Sequence, residues 1–474
     1  MNVPMKSLIR AGLGMALVLF LAACDSRASR SQAAFNKYQA ASNAGNLADA
    51  RRALLELVAA DEDVPSYWLE LGKVQLRLGD YPQAFYAFTR ANELNRGDPE
   101  AVRALAQIAV QSGDLQEAEQ QAARLDLLAP GDPMVKLTQG MVALQRKKYD
   151  EASQKADEIL AQAPLDPNAK VLKARALVGL GQVAPAIALL KDQVARQPKD
   201  AGSMRALFNL QRGTGDWGAL LATGRTYLAL VPEDGRIGLL TIDAAFKAND
   251  IPAAKALSLA LLKPDASPTL IGTVLETWRA QWKSPNSLAL ARELAAKAGP
   301  PQQIVYGHYF NQSGAAGTTV AMLGTVAAGK TRPDNADAQA IYYEALAAQG
   351  QREPARAGLE AILLVDQQND LALGALTPLL LQMGDKARAL NMARKLVAVA
   401  PKSVAGRLIL AKSYDTTGDR DAAVRTLWDA LHDIPGDETI YTLLRAYLPP
   451  DDARRLDGEF ADQIQRNVVR DSLG

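Results

Sequence analysis

Residues 68–91 read WLELGKVQLRLGDYPQAFYAFTRA. Apolar and small residues recur at helical spacing on both sides of Gly79: Trp68, Leu71 and Gly72 before it, then Ala84, Phe88 and Ala91. That pattern predicts two helices joined by a turn at Gly79-Asp80, with their apolar faces against each other. Read outward, the same glycine returns every 34 residues. Gly45, Gly79, Gly113, Gly181 and Gly215 occupy one series, and Lys147 and Asn249 fill its remaining places. Five residues further on stand Ala50, Ala84, Ala118, Ala152, Ala186, Leu220 and Ala254. Pro130, Pro164, Pro198 and Pro232 follow four of the turn positions by a constant 17 residues. The spacing resumes at Gly350, Gly384 and Gly418, with Ala355, Ala389 and Ala423, then Pro401 and Pro435.

Composition agrees with helices. The chain has 474 residues, rich in Ala and Leu, and only 5% of them are aromatic. Ala and Leu favour helix, whereas strands want β-branched and aromatic side chains. A length prior of about 150 residues per domain would give three globular domains, but a fixed period replaces that prior with one repeat array. Apolar content of 48% with 22% charged residues excludes wholesale disorder. The net charge is +1, without the basic excess of a general nucleic-acid binder. One Cys and two His exclude an intrachain disulfide and a Cys/His structural zinc site.

The period and the signature at Trp68, Leu71-Gly72, Gly79-Asp80-Tyr81, Ala84, Phe88 and Ala91 resemble the tetratricopeptide repeat family. The resemblance implies an all-α, right-handed superhelical solenoid of about twelve helix–turn–helix units, closed by a C-terminal capping helix. Small residues at Gly72, Ala106, Gly140 and Ala174 let the paired helices approach, and the turn glycine supplies a positive φ. Tyr38, Phe208, Ile242 and Tyr343 depart from that small position, so wider crossings are expected there. Seven regular units are predicted over 31–268 and three over 336–437. Between them, 269–335 has room for two degenerate units, because no glycine in it has an alanine five residues later. Residues 438–474 are expected to form capping helices, which open solenoids need for solubility.

The amino terminus reads as an address. Lys6 and Arg10 precede an apolar stretch that is too short to span a bilayer and matches a secretory signal. It ends in Leu21-Ala22-Ala23-Cys24, which resembles a bacterial lipobox and uses the chain's one cysteine. The resemblance implies a signal peptide at 1–23, lipidation at Cys24, a tether at 24–30, and export to the periplasmic face of the inner or outer membrane. Loss of 1–23 removes two cations and brings the net charge to −1.

Catalytic motifs are thin. Gly324-Thr325-Val326-Ala327-Ala328-Gly329-Lys330-Thr331 fits the phosphate-loop pattern, but that motif needs a strand before it and a helix after it. Residues 319–328 read as helix and Pro333 follows closely, so Gly329 reads as a helix-ending residue. No H-E-x-x-H or G-x-S-x-G occurs. His308 and His432 could serve as bases in principle, but they read as surface or packing histidines, His432 lying on a regular second helix. The chain is therefore read as a non-enzyme without cofactor or metal.

Two surfaces are candidates for binding. In the resembled family the first helices line a concave face, which Arg175, Arg205, Asn209 and Arg212 would share. They form either a solvated face or a site for an anionic peptide or glycan. Trp278, Trp282, Tyr306, Tyr309 and Phe310 form either an exposed aromatic patch for sugar rings or the packing of degenerate repeats. The resulting expectation is a lipid-anchored periplasmic scaffold for protein–protein interactions with envelope proteins. Exopolysaccharide synthesis or export, or secretion, is the assembly that the resemblance implies, and the chain also resembles the tetratricopeptide repeat lipoproteins of exosortase-linked systems. The alternative is a glycan-binding envelope protein using the concave groove or the aromatic middle.

Overall fold

The computed structural model describes residues 29–460; the signal, Cys24 and the last fourteen residues lie outside them. Every regular element among the described residues is a helix. The chain divides into two compact units, Met1–Ser203 and Met204–Gly474.

In the first unit, helix 29–43 pairs with Leu47–Ala60, Pro65–Arg77 with Tyr81–Leu94, and Pro99–Ser112 with Leu115–Leu128. Two more pairs follow, Pro133–Gln145 with Tyr149–Leu160 and Pro167–Gly179 with Val183–Arg196. The second unit continues the pattern from Ala201–Gln211 and Trp217–Leu230 to Val404–Thr417 and Arg420–Asp433. Glu438–Tyr447 and a helix at 450–460 close it. Within each unit the extensive contacts join helices one or two places apart in the chain. The core is therefore a row of local interfaces, as in a solenoid.

One device recurs at many of the turns. Gly79 has φ +76°, and the amide of Asp80 reaches back to the carbonyl of Gln75 at 2.9 Å, ending the first helix in a Schellman-type bond. The Asp80 side chain then accepts from the Gln83 amide and opens the second helix. Asp114, Asp216, Asp250, Asp385 and Asp419 repeat this cap, each contributing about 1 kcal/mol. Lys147 and Asn249, which stand in the glycine series, both take φ +59°. The backbone demands the left-handed region there whatever the side chain.

The alanine column is the centre of each crossing. Ala84, Ala118, Ala152, Ala186, Ala254, Ala355, Ala389 and Ala423 are fully buried, and Leu220 is buried in its place. At Gly72 an added Cβ would stand 2.8 Å from Phe88 Cε1. Where the first helix carries a large residue instead, the second helix gives way: Gly224 lies under Phe208, and Gly358 under Tyr343. At these two crossings glycine on the facing helix makes room for the large side chain.

The middle segment is more regular than its sequence suggests. Gly314 has φ +74° between Pro300–Gln312 and Ala316–Ala327, and the Ala315 amide bonds Phe310 O at 2.8 Å. Buried Thr319 takes the alanine position, and Gly307 takes the small first-helix position. In the preceding pair, Pro268–Gln281 and Pro285–Ala295, the turn contains no left-handed residue. Ser284 caps the second helix, and buried Ser287 lies three residues after it, where Ala84 lies four after Asp80.

Candidate partner-binding surface

The first helices of each unit carry a row of polar, partly exposed side chains. In the first unit, Tyr38 Oη donates to Glu70 at 2.7 Å, and Lys73 Nζ donates to Glu70 at 2.8 Å while lying 2.7 Å from Glu100. On the next helix, Arg103 Nε donates to Asp132 Oδ2 at 3.0 Å. Asp132 is also an N-cap, accepting from the Met134 amide at 2.9 Å. Thus three ties link four successive repeats, Tyr38 to Glu70, Lys73 to Glu100 and Arg103 to Asp132, and hydrogen bonds and charge join packing in setting the register between neighbours.

The electrostatics follow from these bonds. Burial pushes the Tyr38 phenol up to about 12, helped by its bond to Glu70. Burial would raise Asp132, but the Arg103 guanidinium and the Met134 amide outweigh it and hold the carboxyl below its usual range. Glu70 is lowered in the same way, with Lys73 and Tyr38 overcoming burial.

In the second unit a comparable cluster spans Pro268–Gln281, Pro300–Gln312 and Ala336–Ala348. His308 Nδ1 lies 3.0 Å from Glu344 Oε2. Asn311 Nδ2 donates to the same oxygen at 2.8 Å and to Ile341 O at 2.9 Å. Burial works against the imidazolium, but the bond to Glu344 and the charges of Glu344 and Glu276 raise the His308 pKa. Arg279, paired with Glu276, opposes that rise.

The four residues of the arginine candidate fall in both units. Arg175 is partly exposed in the first unit; Arg205 is exposed, and Asn209 and Arg212 are partly exposed, in the second. Arg175, Asn209 and Arg212 are each engaged within the chain. Arg205 acts on Tyr227, whose hydroxyl donates to Asp234 at 2.9 Å. These side chains can exchange an internal partner for an external carboxylate or phosphate, but they are not a naked cationic patch.

Of the two readings of the aromatic candidate, burial agrees with packing within the repeats. Trp278, Trp282, Tyr306, Tyr309 and Phe310 are all buried, Trp282 being the most accessible at 9%. Trp278 Nε1 donates to Ser258 Oγ at 2.9 Å, and its ring meets Trp282 edge-on. Tyr309 donates to Ser287 at 3.3 Å. The rings fill space left by the two serines, and they present no free face to a sugar.

Exposed aromatics occur elsewhere. On Tyr81–Leu94, Tyr81, Phe85 and Tyr86 are exposed, and Tyr86 meets the edge of Trp68 at 5.8 Å. Sequence reasoning missed them, although Ala84, Phe88 and Ala91 marked the buried stripe and left positions 81, 85 and 86 off it.

The phosphate-loop match covers the last turn of helix Ala316–Ala327 and the linker that follows it. Gln339 Nε2 binds Gly329 O at 2.8 Å, and Asn335 accepts from the Arg332 amide at 2.8 Å. Both amide side chains are buried and hold the linker against the next helix. Among the described residues, no group of three or more His, Cys, Asp and Glu could hold a metal ion. No described helix is long and apolar enough to cross a membrane.

Residues 75–140 and 143–207 match one model of the tetratricopeptide repeat, and residues 35–99 match another. This stretch is a tetratricopeptide repeat array. Beyond 207 neither model matches, and left-handed turns recur at Gly215, Asn249, Gly314, Gly350, Gly384 and Gly418. No curated protein matches the chain significantly. Among solved structures, a thermophilic tetratricopeptide repeat protein of Thermus thermophilus is 21% identical, covering 38% of this chain and 98% of its own, with a TM-score of 0.36. PilW, a type IV pilus biogenesis factor, is 20% identical over 42% of this chain and 91% of its own, at 0.35. Pseudomonas aeruginosa PilF is 18% identical over 47% and 99%, at 0.34.

Proposed function

We propose that the protein is a lipid-anchored periplasmic scaffold that holds protein partners on the first-helix faces of its repeats. Tetratricopeptide repeat proteins mediate protein–protein interactions. The observation that carries the reading to this chain is the row of partly exposed, internally paired charges from Tyr38 to Asp132, with its counterpart around Glu344. Such a row offers donors and acceptors at regular intervals, suited to an extended or helical segment of another protein. Leu21-Ala22-Ala23-Cys24 supports the anchor and the compartment. Exopolysaccharide synthesis or export, or secretion, is the assembly we favour, on the resemblance to envelope lipoproteins of this type.

The test is a pull-down from envelope extracts at low and high salt with the parent and an Arg175→Ala, Arg205→Ala, Arg212→Ala variant. Surface substitutions usually move stability by under about 0.5 kcal/mol each, so folding should persist. The variant should lose partner and salt sensitivity together. An unchanged partner set with an unchanged salt response would remove the arginines from the binding surface.

A further inference from the structure

A cleft of about 190 Å³ opens in the first unit between Leu115–Leu128, Pro133–Gln145 and the start of Tyr149–Leu160. Its apolar wall is small: Ala122, Val142 and Ala143. Set among them is Thr138, 1% exposed, whose hydroxyl has no hydrogen-bond partner. Thr89, Ser203 and Ser313 also leave a buried hydroxyl unbonded, but of these hydroxyls only that of Thr138 lines the cleft. The buried threonines Thr241 and Thr377 return their hydroxyls to the carbonyls of Ile237 at 2.6 Å and Leu373 at 2.8 Å. A buried hydroxyl left unbonded is costly, and that cost is relieved when a ligand or water bonds it.

The rim is charged but balanced. Arg146 makes two bonds to Glu119, Nη1 to Oε1 at 2.6 Å and Nη2 to Oε2 at 2.7 Å. Lys148 Nζ lies 3.3 Å from Glu151. Each cation is matched by a carboxylate, so the cleft has no net charge with which to select an ion. What it offers instead is acceptors on two glutamates, donors on Arg146 and Lys148, and a hydroxyl that can serve either way. A carboxylate ligand could use only the donors, and an ammonium only the acceptors. Hydroxyl groups use both, and the methyl-lined wall suits the C–H face of a saturated ring.

We propose that this cleft binds a neutral pyranose, either as a free sugar or as one residue of a glycan. The cleft shares no lining residue with the arginines of the proposed partner surface, so the two ideas fail independently.

Ligand-observed saturation-transfer NMR on the full mature chain tests it, with methyl α-D-glucopyranoside and N-acetylglucosamine as monosaccharide probes and maltotriose as the glycan probe. Acetate and methylammonium serve as ionic probes. Saturable transfer to a sugar is expected, with little to either ion. Thr138→Val should weaken it about tenfold, the upper range for one hydrogen bond. Ala123→Phe, at an exposed lining position, should abolish it with an unchanged melting curve. Tighter binding of maltotriose would assign the site to a glycan; equal binding would assign it to a free sugar. Absence of saturable transfer to all three sugars, preference for an ion, or undiminished binding by Ala123→Phe would overturn the proposal.

Discussion

Gly224 lies between the ring of Phe208 and Thr241: a Cβ added to the glycine would stand 2.8 Å from both Phe208 Cε2 and Thr241 Cγ2, and nearer still to Thr241 Oγ1. The relationship inverts the one between Gly72 and Phe88, where the glycine is on the first helix and the ring on the second. Large and small residues have exchanged helices across an otherwise repeated crossing. Gly224→Ala should therefore cost about 1–3 kcal/mol by overpacking. Phe208→Gly alone should cost at least about 3 kcal/mol through the cavity. The double variant Phe208→Gly, Gly224→Phe rebuilds the Gly72–Phe88 arrangement and should recover part of the summed loss. Urea unfolding of the four proteins checks this, and strict additivity would show that the two side chains do not share the space.

Lys147 adopts φ +59° at a place where other repeats use glycine. A side chain in that region costs roughly 1–2 kcal/mol. Lys147→Gly should raise stability by about 1 kcal/mol, and Asn249→Gly by less, because asparagine tolerates the region better. A Lys147→Gly variant that melts no higher than the parent would contradict the backbone assignment at that turn.

Much of this was legible in the sequence, for a physical reason. The turn places φ requirements on one position and size requirements on two others, so glycine, alanine and proline recur at fixed distances and expose the period. The period also marked Lys147 and Asn249 as turn residues despite their side chains. It failed where chemistry other than size filled the column. Thr319 is buried as deeply as the alanines because its hydroxyl bonds Gly307 O at 2.9 Å, and a search for alanine passes over it. A shortened turn at Ser284 hid the unit before it. Exposure was less legible than fold: nothing in the spacing of Trp278 and Trp282 reveals that Ser258 makes room for an indole. The Thr138 cleft depends on two adjacent repeats, and no single repeat encodes it.

Two ionisable groups should leave opposite pH signatures. Asp132 has a depressed folded pKa, so its contribution is complete above the unfolded value of about 3.9 and is lost as pH falls through the lower folded value. Asp132→Asn should cost about 1 kcal/mol near neutrality, because Arg103 is half-exposed, and the difference should shrink in acid. His308 has a raised folded pKa. Its contribution is complete below about 6.5 and fades as pH rises through the folded value. Unfolding curves for the parent and His308→Gln, taken across that range, should converge at high pH; divergence there would reverse the sign.

Cys24 is the one residue that lipobox chemistry requires. Metabolic labelling with an alkyne fatty acid should mark the parent and leave Cys24→Ala unlabelled and unprocessed. Equal labelling of both would end the anchoring proposal.

Photo-crosslinking along the repeats tests the scaffold reading most directly. A photoreactive amino acid is placed in vivo on first helices at Lys73, Gln107 and Arg205, or on second helices at Arg52, Gln120 and Glu353, which are exposed. If the first-helix faces hold the partner, the same protein should be captured from the first set and not from the second. Capture from the second set alone, or equally from both, would contradict the proposed binding surface.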